Sequence, residues 1–309
     1  MFEKIFGNDE VKKILYNDIN NKKIVSSYIF EGKDSDYLES LAMEFAGLLL
    51  NSKIPEKKAD FALFGKGEKI KKEDAQSIAK DVYIRPFELD RKVYMLLGAE
   101  DIQVESQNVL LKTLEEAPSY VVVILVTKSL NMILDTIISR SKVIRVMPLN
   151  KNELMDYINE NYPKLDNKEL YASISMGDIS ALKSFIEDEK EMTLRKMSID
   201  AAIKVLKKKR YESVKEIDFF EENKENIEKI LTYFEIFIKD IASSADRIVN
   251  LDYKDEIKNL KGLALYDLVD SIDTIEETKR YLGNSGNFRL HLETLVLNMI
   301  EKFDRWLYE

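Results

Sequence analysis

Few residues in this 309-residue chain could do chemistry. There is no cysteine and a single histidine, His291. Disulfides and thiolate metal sites are therefore impossible, and a metal could be held only by carboxylate-rich clusters. Residues that could bind phosphate include Gly32, between a β-rich run and an amphipathic run, and Arg140, in a Ser-Arg-Ser sequence that by itself is typical of a solvated loop. Both residue types bind phosphate in proteins, glycine through exposed backbone amides and arginine through its planar guanidinium.

The elements that must position these residues alternate between strand-like and helix-like patterns in the first half of the chain. Near-continuous apolar runs separated by amphipathic segments predict a parallel five-stranded sheet covered by helices on both faces. The predicted strands are Tyr28–Phe30, Phe61–Phe64, Val93–Leu97, Val121–Val126 and Val143–Met147. The predicted helices between them are Asp36–Leu50, Lys71–Val82 and Val104–Glu116. Gly32 would then follow the first strand, and Arg140 would precede the last.

Beyond Pro148 the strand pattern gives way to helical periodicity. Short helices are predicted first, at Lys151–Asn161, Asn167–Met176 and Ile179–Glu187, and longer amphipathic helices follow. We therefore expect an α/β domain at residues 1–148, a small helical domain at 149–192 and a larger helical domain at 193–309. In the last domain, His291 and Trp306 are interpreted as bundle residues. The basic run Lys207–Arg210 is interpreted as a solvated helix end, with a DNA-facing role as the alternative.

Composition and charge restrict the function classes. With 45% hydrophobic and 33% charged residues, the chain is expected to fold rather than to be disordered. Its formal net charge of -9 disfavours free, non-specific DNA binding, because phosphate neutralisation needs clustered lysine and arginine. The longest apolar stretch, Tyr120–Val126, is far shorter than the roughly 20 residues needed to span a bilayer. The N-terminal sequence is unlike a secretory signal, so we expect a cytoplasmic protein without membrane partners.

Three segments together resemble the AAA+ clamp-loader family. Gln107–Pro118 reads QNVLLKTLEEAP and is similar to the family signature QNALLKTLEEPP. Val121–Thr127 followed by Leu134–Ser141, which reads LDTIISRS, is similar to a strand ending in a polar sensor residue and the motif T-I-x-S-R-C. Gly286–Glu293 resembles the start of the family's final collar helix. Taken singly, the first segment is an ordinary amphipathic helix and Ser-Arg-Ser an ordinary loop; their order along the chain carries the resemblance.

The resemblance implies an AAA+ (P-loop NTPase-like) fold for the first domain, with a degenerate ATP site. An active loop wraps phosphates with glycine amides, places a lysine on the β- and γ-phosphates and a Ser/Thr hydroxyl on Mg²⁺. When Gly32 is matched to the first glycine of that loop, the second glycine becomes Tyr37, the lysine Leu38 and the Ser/Thr Glu39. Tyrosine crowds the backbone, leucine supplies no cation, and Glu39 would repel a polyphosphate.

The second half of the site departs from the family in the same direction. Active relatives end the neighbouring strand with two acids, which serve Mg²⁺ and the attacking water. Anchoring the alignment on Ala99 puts Leu97 and Gly98 at those positions. Thr127 matches the sensor position and is expected only to cap a strand end. We predict no nucleotide cofactor, no metal and no ATP hydrolysis by this chain.

The resemblance is to the delta-prime type of subunit and gives Arg140 a role in trans. An arginine at a subunit boundary can reach the γ-phosphate bound by a neighbour and stabilise the charge that develops during phosphoryl transfer. The implied partners are the ATPase (gamma/tau) and delta subunits, through the collar and the AAA+ faces, and the sliding clamp and primer–template DNA within the complex. Ser141 stands where the family usually has cysteine.

Three alternatives remain open at this point. The chain could be an ATP-hydrolysing gamma/tau-type subunit, which the residues at positions 37, 38, 97 and 98 oppose. It could be a delta-type, clamp-opening subunit, which requires an exposed hydrophobic clamp-binding element that the sequence alone does not reveal. It could also be a scaffold unrelated to replication.

Overall fold

The computed structural model describes Phe2 and residues 5–207, 216–282 and 288–304. Residues 208–210 of the basic run, Gly286, Asn287 and Trp306 lie outside the described residues. The chain divides into two compact units. The sheet unit comprises the residues up to Leu165 together with Met176–Ala181, and the helical unit comprises Asp166–Ser175 and the residues from Leu182 onward. The predicted division of the helical part at residues 192 and 193 stays a prediction.

The sheet unit is built on five parallel strands. These are β1 (Ser27–Glu31), β2 (Phe61–Phe64), β3 (Lys92–Leu97), β4 (Val121–Thr127) and β5 (Lys142–Arg145). They lie in the order β2-β3-β4-β1-β5, and every neighbouring pair is parallel. The strand β4 is buried along its whole length, as expected for a central strand with both faces covered. The predicted fold class, a five-stranded parallel sheet followed by helices, is confirmed.

The helices of the sheet unit agree with the amphipathic pattern of the sequence. They are α1 (Asp9–Asn20), α2 (Ser35–Leu49), α3 (Lys72–Asp81), α4 (Val104–Glu116), α5 (Asp135–Ile138) and α6 (Lys151–Asn161). The face of α2 that carries Leu38, Leu41 and Phe45 is fully buried. Because these residues recur at spacings of three and four, they form one stripe that packs inward.

The last strand is shorter than the sequence predicts, and the prediction that it extends to Met147 is wrong. It ends at Arg145. The side chain of Asn8 takes the place of a strand partner at Met147: the Met147 N–H donates to Asn8 Oδ1 at 3.0 Å, and Asn8 Nδ2 donates to the Met147 carbonyl at 2.9 Å. Both backbone groups are therefore satisfied without a continued ladder.

The helical unit has no strand among its described residues. Its helices are α7 (Lys168–Ile174), α8 (Ile179–Glu187, from Leu182 onward), α9 (Glu189–Lys207), α10 (Glu216–Glu222), α11 (Ile227–Ala242), α12 (Lys254–Leu260), α13 (Leu265–Leu282) and α14 (Phe288–Asp304). The core is centred on α11, where Ile230, Phe234 and Ile238 are fully buried. None of the described helices is both long and apolar enough to cross a bilayer.

Candidate functional site

The connection between β1 and α2 is too short to form a phosphate-binding loop. The strand ends at Glu31 and the helix begins at Ser35, so Tyr37 already lies in the first helical turn. A phosphate-binding loop instead exposes a run of backbone amides before its lysine. Gly32 has a packing role here, because a Cβ at this position would lie 2.8 Å from the Val146 carbonyl oxygen.

The side chain of Asp34 occupies the amino end of α2. Its Oδ1 accepts hydrogen bonds from the Tyr37 N–H at 3.0 Å and the Ser180 hydroxyl at 2.6 Å, and its Oδ2 accepts one from the Ile179 N–H at 2.5 Å. Asp34 is only 9% exposed. Helix amino ends attract anions because their amides are unpaired. A carboxylate of the chain itself thus occupies the helix end that would otherwise attract an anion.

Tyr37 and Leu38, predicted to stand at the second glycine and the lysine of a phosphate-binding loop, both have buried side chains. The Tyr37 hydroxyl donates to the Phe6 carbonyl at 2.6 Å and accepts from Asn8 Nδ2 at 3.3 Å. Burial raises the pKa of Tyr37, so the phenol keeps its proton. Leu38 is fully buried. The two positions predicted for the second glycine and the lysine are therefore filled by packed side chains.

Glu39, at the position of the Mg²⁺ ligand, is paired with a cation of the protein. Its Oε1 lies 3.1 Å from Nζ of Lys66, which follows β2 and also lies 3.7 Å from Glu56. Hydrogen bonding to Glu39 raises the pKa of Lys66. In the part of the chain that the structure describes, no group of three or more acidic or histidine side chains could hold a metal ion.

The other predicted residues of the degenerate site lie at the same edge of the sheet. Leu97 is the last residue of β3, and Gly98 follows it with a left-handed backbone, φ 64°. Thr127 ends β4 beside β1, where its carbonyl accepts from the Gly32 N–H at 3.2 Å. The Thr127 hydroxyl donates to the Ser129 carbonyl at 2.9 Å and closes the turn that follows the strand.

Arg140 follows α5 and remains accessible, with 42% of its side chain exposed. Its NH2 group lies 2.8 Å from Oε1 of Glu115, and its NH1 group donates to the Thr136 carbonyl at 3.1 Å. The next residue is anchored in the sheet unit: the Ser141 hydroxyl lies 2.7 Å from that of Ser27 in β1. A rigid base therefore presents an accessible cation.

A comparison with known protein families matches the stretch of chain that contains both Gly32 and Arg140. Residues 7–150 match the family described as DNA polymerase III, delta subunit. The match ends just before α6, within the sheet unit.

Relatives extend the likeness beyond this stretch. The DNA polymerase III delta-prime subunit of Bacillus subtilis is 24% identical over 94% of this chain and 95% of its own length. The gamma/tau subunit of Mycoplasma genitalium is 29% identical, but the chain spans only 33% of that longer protein. A gamma-subunit-related protein of Thermotoga maritima, known as a crystal structure, is 20% identical, with a TM-score of 0.49 over 95% of this chain and 99% of its own. The predicted resemblance to delta-prime clamp-loader subunits is confirmed.

Gln107, the first residue of the signature segment, has a positioning role that the sequence did not reveal. It is 2% exposed, and its Nε2 donates to the carbonyls of Ile102 at 2.9 Å and Met132 at 2.8 Å. Its Oε1 accepts from the Leu134 N–H at 2.8 Å. One amide side chain on α4 thus fixes the segment that leads into α5 and Arg140. A glutamine inside a helix gives no sequence signal for such long-range partners.

Proposed function

We propose that this chain is a non-hydrolysing clamp-loader subunit of the delta-prime type. The observation that carries the proposal is a contrast between two phosphate-binding features. The nucleotide cradle is occupied by the chain's own Asp34, Tyr37 and Leu38, whereas Arg140 is exposed on a rigid base. Such a chain lacks the groups for phosphoryl transfer in cis but retains a cation that can serve another subunit.

Arg140 would act on the γ-phosphate held by a neighbouring ATPase subunit. Arginine has five N–H donors, and the bonds to Glu115, Thr136 and Ser139 leave part of them for phosphate. Its permanent charge would stabilise the negative charge of the transition state. Arginines supplied in trans contribute roughly 10³–10⁵ in rate in GTPase systems.

The family match and the full-length delta-prime relative support a place in a larger assembly. We place the chain in the cytoplasm, in a DNA polymerase III complex with gamma/tau and delta subunits. The helical unit would join the collar of that complex. The assembly would open the sliding clamp and load it on primer–template DNA, so the net charge of -9 on this subunit would be offset by its partners.

The test is the Arg140→Ala variant in a loader reconstituted with its ATPase subunits. At the site that Arg140 completes, the rate of ATP hydrolysis should fall by roughly 10³-fold. The total ATPase rate of the loader should therefore fall by at least the fraction that this site contributes. Arg140→Lys should recover only part of the rate, because lysine keeps the charge but loses the planar fork. Arg145→Ala is the matched control, since Arg145 is also exposed and lies on the adjoining β5. Unchanged ATPase activity in an intact complex would rule out the trans role.

A second candidate function, delta-type contact with the clamp, is favoured by one observation. The loop between α3 and β3 exposes Ile84 to 60% and Phe87 to 84%. The buried carboxylate of Asp60 holds this loop by accepting the backbone N–H groups of Phe87, Glu88 and Leu89 at 2.6, 2.8 and 2.9 Å. The sequence alone did not reveal this apolar element, which is held in place rather than loose.

The two functions separate in a binding measurement. If the second function is right, the isolated chain should bind the sliding clamp, and Phe87→Ser should abolish binding while Arg140→Ala leaves it intact. If the chain has only the delta-prime role, the isolated chain should not bind the sliding clamp, and Phe87→Ser should leave the ATPase rate of the loader unchanged.

A further inference from the structure

The carboxyl end of α4 carries two acidic residues where a helix disfavours them. Glu115 and Glu116 are its last residues, and its last turn contains no basic residue. A helix carboxyl end has partial negative charge, so acidic side chains there are destabilising. Each glutamate finds its partner on another segment: Glu115 pairs with Arg140 at 2.8 Å, and Glu116 accepts from the Tyr83 hydroxyl at 3.0 Å. Glu115 therefore does not stabilise its own helix, and its favourable contact is the ion pair with Arg140.

The contacts of Arg140 hold its guanidinium from two sides. Glu115 on α4 binds NH2, and the Thr136 carbonyl on α5 accepts from NH1. Contacts on two separate elements fix the plane of the group, while 42% of the side chain stays exposed. Arginine has many rotamers, so an unrestrained side chain loses more entropy when it binds a group on another molecule. The pair thus gives an oriented yet accessible cation.

We propose that Glu115 is a positioning residue that presents Arg140 to the neighbouring subunit's phosphate. The inference rests on the proposed function, because it concerns the arginine to which we assign the trans role. Glu115 acts through Arg140 and does not itself touch nucleotide. An exposed ion pair contributes little free energy, so losing it should lower kcat only by roughly two- to fivefold. The KM for ATP should not change, because the neighbour binds the nucleotide.

The experiment measures kcat for ATP hydrolysis by the reconstituted loader, without the clamp, and compares Glu115→Gln with Glu116→Gln. Both substitutions remove one charge from the same helix end, but only Glu115 contacts Arg140. We expect Glu115→Gln to lower kcat, Glu116→Gln to leave it unchanged, and the difference between them to shrink at high salt, where the ion pair is screened. The same Glu115→Gln change is then made in the Arg140→Ala variant, where it should have no further effect.

The outcomes distinguish the inference from the proposed function. If Arg140→Ala leaves the ATPase rate unchanged, the proposed function fails. If Arg140→Ala lowers the rate but Glu115→Gln does not, only the role of Glu115 is overturned. A Glu115→Gln effect that persists in the Arg140→Ala background would also overturn it, because the glutamate would then act on the fold and not through the arginine.

Discussion

Replacing Asp34 tests whether the chain's own carboxylate holds the degenerate loop together. Asp34→Ala removes three hydrogen bonds, to the Tyr37 N–H, the Ile179 N–H and the Ser180 hydroxyl. The cap at Tyr37 contributes about 1 kcal/mol, and each of the other two bonds, made to a charged acceptor, about 1.5–3 kcal/mol. Because these contributions overlap and water replaces part of the loss, we expect the free energy of unfolding to fall by about 3 kcal/mol.

The assay is urea denaturation combined with amide hydrogen exchange. Exchange should accelerate at the amides of Tyr37 and Ile179, which lie at the starts of α2 and α8. Both amides donate hydrogen bonds to this carboxylate. Asp34→Asn should be milder, because its amide keeps an acceptor oxygen for the α2 cap but presents an NH2 group to the Ile179 N–H. Asp74→Ala is the control: it removes one local, exposed bond at the start of α3 and should cost about 0.5–1 kcal/mol.

A loss below about 1 kcal/mol for Asp34→Ala, equal to that of the Asp74 control, would refute this reasoning. So would faster exchange at Tyr37 with none at Ile179, because the carboxylate would then act only as a local cap. A double-mutant cycle with Ser180→Ala gives the coupling directly. The two changes should be strongly non-additive if Asp34 and Ser180 are bonded as the structure shows.

Two further predictions concern the buried groups. Leu38→Lys, which introduces the lysine of an active loop, should not create affinity for Mg²⁺-ATP in a calorimetric titration. It should lower the free energy of unfolding by several kcal/mol, because the side chain at this position is fully buried. Tight nucleotide binding by this variant would contradict the prediction. In the helical unit, burial alone would raise the pKa of Glu235, but its ion pairs with Lys239 and Lys279 outweigh burial and lower the pKa. A carboxylate with a lowered pKa stabilises the fold above its ordinary pKa, and that stabilisation is lost as the pH falls. Wild type should therefore lose stability relative to Glu235→Gln as the pH falls below about 4.5. Parallel pH profiles of unfolding for the two proteins would refute this pairing.

The prediction that this chain lacks the chemistry of an ATPase rests on residue types alone. A phosphate cradle needs glycine, lysine and a hydroxyl at fixed spacing, so Tyr37, Leu38 and Glu39 exclude it in whatever fold they occupy. The sheet and its helices could be predicted for a related reason. Strand and helix periodicities are local, and each is visible within a window of about ten residues.

The side-chain contacts made by Asp34 at the start of α2 could not be predicted in the same way. The bond from Ile179 to Asp34 joins residues separated by 145 positions, and periodicity carries no information about such partners. An aspartate before an apolar-periodic helix does indicate an N-cap. The sequence therefore indicates the bond from Tyr37 to Asp34 but not the bond from Ile179.

Residue types and their spacing determined that this chain has a parallel sheet unit, that Leu38 stands where a phosphate-binding loop would have its lysine, and that Arg140 precedes the last strand. Only the tertiary structure decided that Asp34 bonds Ile179 as well as capping α2, that Glu115 contacts Arg140 while Gln107 holds the segment before α5, and that Phe87 is exposed on a loop held by Asp60. The physical reason is that chemical identity is a property of each residue, whereas orientation and accessibility arise only when distant segments pack and satisfy one another's polar groups.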